Sequence, residues 1–297
     1  MKYKVSVIVP NYNGLHLLKK HLPVLVKELA NKDNSISDIV VVDNGSTDGS
    51  VSFLNKHFPD IQVVKLKENR GFAIAINMGV RYSKGNLLLL LNNDVEVTKG
   101  FLLAALKHFE NNKVFAVSLH EKGYGPATAS FAKGFLEHKS LKESKETRNT
   151  FWVSGGSGIF RRSIWKKLKG LDEKIFSPYY WEDLDLSYRA TKRGYALLWE
   201  GRSSVYHDHE STAKNLDPKK VSLIRQANEL KFIWKNIGSK SLFRKHVKYL
   251  FSRTFKHPGY IRVVLKAARS LKDIKKARKK EKKEAVVSDE SIFSHYS

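Results

Sequence analysis

The stretch that decides the fold is Leu87–Leu91 followed by Asn92-Asn93-Asp94. A run of five leucines predicts a strand buried on both faces, as in the parallel sheets of α/β proteins. The polar triplet comes at the carboxyl end of that strand, and open α/β sheets place their ligands at this edge. Because Asp94 offers a hard oxygen ligand, the junction indicates a divalent metal holding a phosphate, and therefore a nucleotide-dependent enzyme.

On both sides of this strand, the first 120 residues alternate between strand and helix patterns. The strand patterns cover Lys4–Val9, Asp38–Val42, Ile61–Leu66, Leu87–Leu91 and Val114–Leu119. The helix patterns cover Leu15–Leu29, Thr47–His57, Gly71–Tyr82 and Thr98–Asn111. This alternation predicts an α/β fold with a mostly parallel sheet flanked by helices.

The rest of the chain is less regular. Residues 120–150 are polar and predict a loop or a weak hairpin near the site. The later patterns are a glycine-rich segment and strand over Trp152–Arg161, a short helix ending at Gly170, a helix over Trp181–Arg193, a strand over Tyr195–Glu200, and helices from Pro218 onward. Residues 274–285 read as a solvated helix or a disordered tail.

Composition excludes several classes of protein. The chain has no cysteine, which excludes disulfides and cysteine-based zinc sites and fits a reducing compartment.

The glycine-rich phosphate-binding motifs are also absent from the sequence. Gly-x-Gly-x-x-Gly is missing from the first loop and Gly-x-x-x-x-Gly-Lys from the whole sequence, so a glycine-rich phosphate loop is not expected. The first ten residues are a poor secretory leader, and no run of about 20 apolar residues predicts a spanning helix. We expect a cytoplasmic protein.

The positive charge is concentrated at the C-terminal end. The net charge is +25, and residues 214–297 supply +16 of it, with 23 Lys and Arg against 7 Asp and Glu. Three patterns there combine apolar and basic residues, over Val221–Trp234, Leu242–Phe255 and Ile261–Leu271. Such helices suit an anionic membrane surface. The alternative is that they form a helical appendage that packs its apolar faces on the catalytic domain.

Polar residues follow four of the predicted strands. The sets are Pro10-Asn11-Tyr12-Asn13-Gly14, Asp43-Asn44-Gly45-Ser46-Thr47-Asp48, Asn69-Arg70-Gly71-Phe72 and Asn92-Asn93-Asp94. Each loop alone could be a turn, because these residue types favour turns and helix caps. Together they predict a nucleotide site along one edge of the sheet.

These loops resemble the family 2 glycosyltransferases of the GT-A fold. Gly155-Gly156 and Glu182-Asp183-Leu184-Asp185-Leu186 fit the same family, and the match extends over about residues 3–212. The bacterial rhamnosyltransferase-like branch is the most similar. The resemblance implies a catalytic domain over 1–215, with a nucleotide-sugar half at about 1–120 and an acceptor half at about 121–215. Residues 216–297 would form a basic amphipathic helical extension.

The resemblance also implies roles at the donor side. Asp43 would contact the base or ribose, and Arg70 would lie near the nucleotide or diphosphate. The other residues expected at the nucleotide are Pro10, Asn11, Asn13, Asn92 and Asn93.

Asp94 would be the metal-binding acid of the family's Asp-x-Asp motif, in which Asn92 replaces the first acid. A histidine would complete the shell around Mg²⁺ or Mn²⁺, and we favour His207 over His209.

On the acceptor side, the resemblance implies that Asp183 is the catalytic base and that Glu182 supports the acceptor. Without the resemblance, acids at this helix start would be explained by the helix dipole. Asp185 points to another helix face and is expected to pair with Arg189, four residues on.

Gly155 and Gly156 would allow a close approach of backbone to the acceptor or sugar. Trp181, with Tyr180, could stack on an acceptor sugar, although aromatic residues at a helix start are as often part of the core.

We therefore expect a metal-dependent, inverting glycosyltransferase that uses a nucleotide-diphosphate sugar and a glycan or lipid-linked acceptor in surface polysaccharide synthesis. It would be peripheral on the cytoplasmic face of the membrane, and no nucleic acid is expected as a partner. Two alternatives remain open: an inactive sugar-nucleotide-binding protein, because position 92 lacks its acid, and a basic membrane- or nucleic-acid-binding scaffold.

Overall fold

The computed structural model describes residues 3–208 and 217–296 of the chain. Its strands, in chain order, are β1 (Val5–Asn11), β2 (Ile36–Asp43), β3 (Gln62–Lys65), β4 (Leu87–Leu91), β5 (Val95–Val97), β6 (Val114–Glu121), β7 (Ala127–Ser130), β8 (Glu137–Ser140), β9 (Thr147–Asn149), β10 (Ser157–Arg161) and β11 (Ala196–His207). Its helices are α1 (Leu15–Leu29), α2 (Ser50–His57), α3 (Phe72–Tyr82), α4 (Leu103–Lys107), α5 (Arg162–Leu168), α6 (Glu182–Lys192), α7 (Pro218–Asn236), α8 (Lys240–Lys256), α9 (Ile261–Ala268), α10 (Leu271–Glu284) and α11 (Asp289–Tyr296).

Nine of the strands form one sheet. Its order is β3-β2-β1-β4-β10-β6-β11-β5, and β9 pairs with β11. The pairs β1–β2, β1–β4, β2–β3 and β6–β11 are parallel, whereas β10 lies antiparallel between β4 and β6. The predicted α/β class, with a mostly parallel sheet flanked by helices, is confirmed. The insertion of β10 between two strands of the alternating series is a feature that periodicity does not predict.

The five leucines of β4 are buried on both faces of the sheet, as their sequence predicts. Leu87, Leu89 and Leu91 belong to the hydrophobic cluster that α1 covers. Leu88 and Leu90 point to the opposite face and pack in the cluster that α3, α5 and α6 cover. Because successive side chains alternate across a strand, this burial fixes the register of β4 and therefore the position of the triplet that follows it.

The predicted helix Thr98–Asn111 is wrong in its extent. The helix α4 spans only Leu103–Lys107 and continues into a 3₁₀ turn at His108–Glu110. The short strand β5 precedes it and pairs antiparallel with the end of β11. Gly100, with φ of +66°, makes the turn between β5 and the helix, so the chain leaves the sheet later than the periodicity suggests.

Two further segments contain more strand structure than the sequence predicts. The predicted strand Tyr195–Glu200 is the first half of β11, which continues to His207 through an irregularity between Glu200 and Ser204. The segment 120–150 forms the hairpin β7–β8 and the edge strand β9, so of the two predicted structures, a loop or a weak hairpin, the hairpin is present.

The C-terminal helices pack on the rest of the protein. A third hydrophobic cluster combines Phe151 and Tyr188 with Phe232 of α7, Ile274 of α10 and Phe293 of α11. Residues 274–285 are thus mostly helix, with Ile274 buried. The proposed boundary between 215 and 216 lies in residues 209–216, outside the described part of the chain, and stays a prediction.

In the parts of the chain that the structure describes, every helix is too short or too polar to cross a membrane.

Candidate active site

A cleft of about 880 Å³ opens at the carboxyl edge of the parallel strands. The loops that follow β1, β2, β3 and β4 all contribute to its wall, as the four polar sets predict. The opposite wall comes from the glycine segment before β10, the segment 177–183 and α7. The predicted site residues that line it are Pro10, Asn11, Arg70, Asn92, Asn93, Asp94, Gly155, Gly156, Glu182 and Asp183.

Asn11 connects the first, second and fourth loops. Its side-chain amide lies 3.3 Å from Asp43 Oδ1, and its carbonyl oxygen accepts a hydrogen bond of 2.8 Å from Asn93 Nδ2. The backbone N–H of Ser46 donates to Asp43 Oδ2 at 3.1 Å. Asp43 is buried, and both of its carboxylate oxygens bond to groups of the first and second loops. Its predicted contact with the nucleoside stays a prediction.

Asn13 ties the first loop to the second and does not line the cleft. Its backbone N–H donates to Ser46 Oγ at 2.9 Å, and its side-chain oxygen accepts from the Thr47 N–H at 2.8 Å. Its φ of +48° is in the left-handed region, where asparagine is one of the better tolerated side chains.

The glycine segment approaches the end of β4 closely. The backbone N–H of Asn92 donates to the carbonyl oxygen of Gly156 at 2.9 Å. A Cβ at position 156 would lie 2.7 Å from the Asn92 side-chain nitrogen, a distance that real Cβ atoms essentially never show. A side chain at position 156 would require the Asn92 amide to move, which is a reason for glycine separate from the predicted approach to an acceptor.

Asp94 is almost fully buried at the base of the cleft. Its Oδ1 lies 2.9 Å from His207 Nε2, while its Oδ2 has no hydrogen-bond partner among the described residues. The other ring nitrogen of His207 lies 3.2 Å from Glu121 Oε1. Burial lowers the pKa of His207, but the hydrogen bonds and charges of Asp94 and Glu121 outweigh it and raise that pKa to about 9.

This arrangement fits a divalent cation held by few protein ligands. Within residues 3–208 and 217–296, no three His, Asp or Glu side chains are grouped as a complete metal cage. Mg²⁺ and Mn²⁺ commonly take one or two carboxylates and complete their shell with phosphate and water oxygens. A buried carboxylate oxygen without a partner, Oδ2 of Asp94, is such a ligand. His209, the less favoured candidate, lies outside the described residues.

Asp183 lies across the cleft, at the start of α6. Its Oδ2 accepts a hydrogen bond of 3.1 Å from the Gly155 N–H, and its Oδ1 accepts one of 2.8 Å from the Leu184 N–H. Burial raises the pKa of Asp183, and these N–H donors oppose the increase. Burial and the neighbouring charge of Asp183 raise the pKa of Glu182 well above its ordinary value. Perturbed carboxylates in a cleft are candidates for acid–base chemistry.

Trp181 is not part of the cleft wall. Its indole packs in the third cluster, with ring centres 5.4 Å from Phe232 and 6.0 Å from His138. The residue has φ of +80°, which turns the chain between Tyr180 and the helix. The position of Trp181 corresponds to the core alternative, and its role in acceptor binding stays a prediction. Tyr180 does line the cleft.

Several cleft residues are not evident from the sequence. Ile74 comes from the start of α3, and Pro178 and Tyr179 come from the segment before α6. The remaining pair, Lys220 and Ile224, come from α7, four residues apart on one helical face. That spacing is visible in the sequence, but nothing local indicates that α7 returns to the cleft.

The segment before α6 is held by α7. The side-chain amide nitrogen of Asn228 lies within hydrogen-bond distance of the carbonyl oxygens of Phe176, Tyr179 and Tyr180, at 3.1, 3.0 and 3.0 Å. Gly71 lies on the other side, where a Cβ would come within 2.6 Å of the Pro178 carbonyl oxygen. The backbone that leads to Asp183 is therefore fixed from two directions.

The sheet and the cleft at its carboxyl edge have the arrangement of the GT-A fold. Solved structures support the fold. The chain superposes on GalNAc-T7 with UDP, GalNAc and Mn²⁺ at a TM-score of 0.64 and 15% identity, over 87% of this chain and 57% of that one. It superposes on a mannosyltransferase of Pyrobaculum calidifontis with GDP-Man and Mn²⁺ at a TM-score of 0.58 and 18% identity. That superposition covers 94% of this chain and 84% of the other.

The chain belongs to glycosyl transferase family 2, whose model matches residues 6–169. It is 31% identical to the uncharacterized glycosyltransferase YfnE of Bacillus subtilis, over 74% of this chain and 69% of that protein. It is 26% identical to the O-antigen biosynthesis protein RfbC of Myxococcus xanthus, over 72% of this chain but only 18% of that protein. The predicted family is confirmed, whereas the rhamnosyltransferase-like branch stays a prediction.

Proposed function

We propose that the chain is a metal-dependent, inverting glycosyltransferase that moves a sugar from a nucleotide-diphosphate donor to a glycan or lipid-linked acceptor. The observation that carries the proposal is that Asp94 and Asp183 line one cleft. One carboxylate has a buried oxygen without a partner, as a cation ligand needs, and the other has the raised pKa that a base needs.

The donor side of the proposal rests on the first four loops. Asp94 and His207 would hold Mg²⁺ or Mn²⁺, which when bound neutralises the charge that develops on the departing diphosphate. Arg70 lies on the same wall and offers a guanidinium to the phosphate oxygens. The Mn²⁺ and the UDP or GDP-Man in the structural neighbours support this reading.

The chemical step is a single displacement. Asp183 accepts the proton of the acceptor hydroxyl while the acceptor oxygen forms a bond to the anomeric carbon. The bond between that carbon and the diphosphate oxygen breaks on the opposite side, so the nucleoside diphosphate leaves and the anomeric carbon inverts. The Gly155 and Leu184 N–H groups hold the two oxygens of Asp183 and so fix the direction of the base.

The acceptor and the cellular setting are inferred from a relative and from the charge of the C-terminal helices. A relative named for O-antigen biosynthesis supports a product in surface polysaccharide. The basic C-terminal helices support a peripheral position on a membrane, where a lipid-linked acceptor would be found.

The test begins with a thermal-shift screen of nucleotide sugars with Mg²⁺ or Mn²⁺, because a bound donor raises apparent stability. With the donor identified, Asp183→Asn should lower transfer by about 10²- to 10⁴-fold, because an amide cannot take the hydroxyl proton and can accept only one of the two backbone N–H bonds. Nucleotide affinity should stay close to that of the wild type. Asp33→Asn, a surface change outside the cleft, is the matched control.

Two outcomes would contradict the proposal. Transfer by Asp183→Asn at the wild-type rate would remove this residue from the base role. A wild-type protein that binds the donor with metal, yet neither hydrolyses nor transfers the sugar to any acceptor tested, would favour the inactive sugar-nucleotide-binding alternative.

A further inference from the structure

The helix α8 has one face fixed to the protein. His246 is fully buried on this face, and the Trp234 indole N–H donates to its Nε2 at 3.0 Å. Because Nε2 accepts that bond, Nδ1 holds the proton and donates it to the Gly134 carbonyl oxygen at 2.6 Å. Arg253 lies 3.7 Å above the ring centre of Phe135 and adds a second attachment. The orientation of α8 is therefore set by contacts on one side.

The opposite face of α8 presents apolar side chains to the surface. Val247, Phe251 and Phe255 are spaced by four residues, and they are 50%, 75% and 80% exposed. Residues four apart on a helix lie one above the other, so the three side chains form a stripe. Single exposed apolar residues need no explanation, but an aligned set opposite a fixed face does.

The next helix repeats the pattern. Val263 and Ala267 of α9 are buried, whereas Ile261 and Leu265 are 44% and 59% exposed. A step of two residues turns a helix by about 200°, so the exposed pair faces away from the buried pair. Two consecutive helices thus each have an inner face packed on the protein and an outer apolar face.

The charge around these faces has one sign. Residues 240–272 contain ten Lys or Arg and no Asp or Glu. Arg244 and Lys248, both exposed, lie seven residues before Phe251 and Phe255 and therefore on the same side of α8. The apolar stripe is bordered by cations that no neighbouring acid in this segment neutralises.

We propose that the outer faces of α8 and α9 dock on an anionic lipid bilayer. Phe251 and Phe255 enter the boundary between headgroups and acyl chains, while Arg244 and Lys248 meet the lipid phosphates. The inference extends the proposed function and rests on it only for its purpose, which is access to a lipid-linked acceptor. Because α7 lines the cleft and leads directly into α8, docking would hold the enzyme at the surface where that acceptor resides.

Two other occupants fit the surface less well. A second copy of the chain docked on this face would bring Arg244 and Lys248 against cations of the same segment, which has no acid to pair them. Nucleic acid would neutralise the cations but would leave the aliphatic side chains of Val247, Ile261 and Leu265 uncovered. An anionic bilayer satisfies both the charge and the apolar area.

The test uses the full chain and vesicles without any donor. Wild-type protein should partition onto vesicles of phosphatidylcholine and phosphatidylglycerol in equal parts, and much less onto phosphatidylcholine alone. The double variant Phe251→Ser/Phe255→Ser should lose at least roughly tenfold in partition constant, because two large apolar side chains no longer enter the lipid. Arg244→Glu/Lys248→Glu should lose at least about tenfold through the reversed charge.

The control is Tyr82→Ser/Leu103→Ser, which removes two large apolar side chains, 49% and 47% exposed, from other helices. It should partition like the wild type. Equal thermal unfolding of all variants shows that each is folded. The proposal is overturned if the phenylalanine variant and the charge-reversal variant both partition like the wild type. It is also overturned if the wild type binds the two kinds of vesicle equally.

Other occupants give different signatures. If Phe251→Ser/Phe255→Ser changes the mass in analytical ultracentrifugation while vesicle partition is unchanged, the face is a subunit interface and the proposal fails. If the wild type binds duplex DNA but not vesicles, the proposal fails as well. Donor hydrolysis is measured on the same samples. A variant that loses vesicle binding but keeps donor hydrolysis has lost only the membrane surface. A wild-type protein that binds vesicles but neither hydrolyses nor transfers the sugar contradicts the proposed function and leaves the membrane proposal intact.

Discussion

Asp185 of α6 and Lys235 of α7 form a buried ion pair, with 2.8 Å between Oδ1 and Nζ. The same carboxylate accepts from Arg189 Nε at 2.7 Å, which is the pair that the i, i+4 spacing predicts, and from Asn236 Nδ2 at 2.8 Å. Since α6 begins at Glu182 and Asp183, the helix that presents the proposed base is tied to the C-terminal region by charge as well as by packing.

Lys235→Met should destabilise the protein by about 3 kcal/mol, because removing one partner of a buried pair leaves the other charge uncompensated. Lys235 also bonds Asp172 Oδ2 at 2.8 Å, so two carboxylates lose a cation. Denaturant unfolding measures the change. Lys275→Met, an exposed lysine on α10, should change stability little. Equal midpoints for the two variants would show that the pair contributes nothing net.

The success and the failure of sequence-based prediction here have separate physical causes. The position of the triplet after Leu91 is predictable because the leucine run fixes a strand register, and parallel strands end at one edge. The pairing of Asp185 with Arg189 is predictable because helical spacing is local. By contrast, the indole of Trp181 turns into the core because Phe232, on a distant helix, provides the surface that it covers.

The difference between local and tertiary causes also explains why part of the cleft is not predictable from the sequence. Lys220 and Ile224 reach the cleft only because α7 packs against α6, a contact decided by tertiary structure and not by local pattern. The short extent of α4 has a similar origin, since β5 is a strand only through its pairing with β11. Propensity and period describe elements, while their partners are set by the fold as a whole.

Asn228→Asp should harm activity more than Asn228→Ala, although it is nearly isosteric. The amide nitrogen of Asn228 faces the carbonyl oxygens of Phe176, Tyr179 and Tyr180, and a carboxylate there cannot donate. Both changes should lower kcat more than they raise KM for the donor, because they loosen the backbone that positions Asp183. Ser222→Ala, at an exposed position of α7, is the control. A purely structural role would instead lower the unfolding temperature and leave kcat intact.

Asp94→Asn should reduce metal-dependent nucleotide binding by at least roughly tenfold, since loss of an outer-shell partner alone has that effect at metal sites. The side chain keeps its size and can still contact His207, so packing is preserved. Calorimetry of the nucleoside diphosphate with Mn²⁺ and with a chelator measures the difference. Wild-type binding that is equal in both conditions would show that the cation is not required for the donor site.

Glu182→Gln should raise the thermal stability at neutral pH. Burial and the charge of Asp183 raise the folded-state pKa of Glu182, and its Oε2 has no hydrogen-bond partner among the described residues. A carboxyl with a raised folded pKa binds its proton more tightly in the folded state, so its contribution to stability falls as pH rises from the unfolded to the folded pKa. The advantage of the variant should therefore shrink toward pH 4, as Glu182 becomes protonated in both states. Glu96→Gln, at an exposed site, should show no such trend.

The pH profile of transfer should reveal the raised pKa of Asp183. The base must be ionised to accept the hydroxyl proton, so kcat/KM should fall about tenfold per pH unit below the folded-state pKa. Burial raises that pKa above its ordinary value, so the acid limb should begin at a higher pH than an exposed aspartate would give. Gly155→Ala tests the assignment, because its Cβ would lie 3.0 Å from the Phe72 ring and 3.6 Å from Asp183 Cβ. Crowding there should weaken the N–H bond that favours the ionised carboxylate and move the acid limb to still higher pH. An acid limb at the position of a free aspartate, unmoved by Gly155→Ala, would assign the proton transfer to another group.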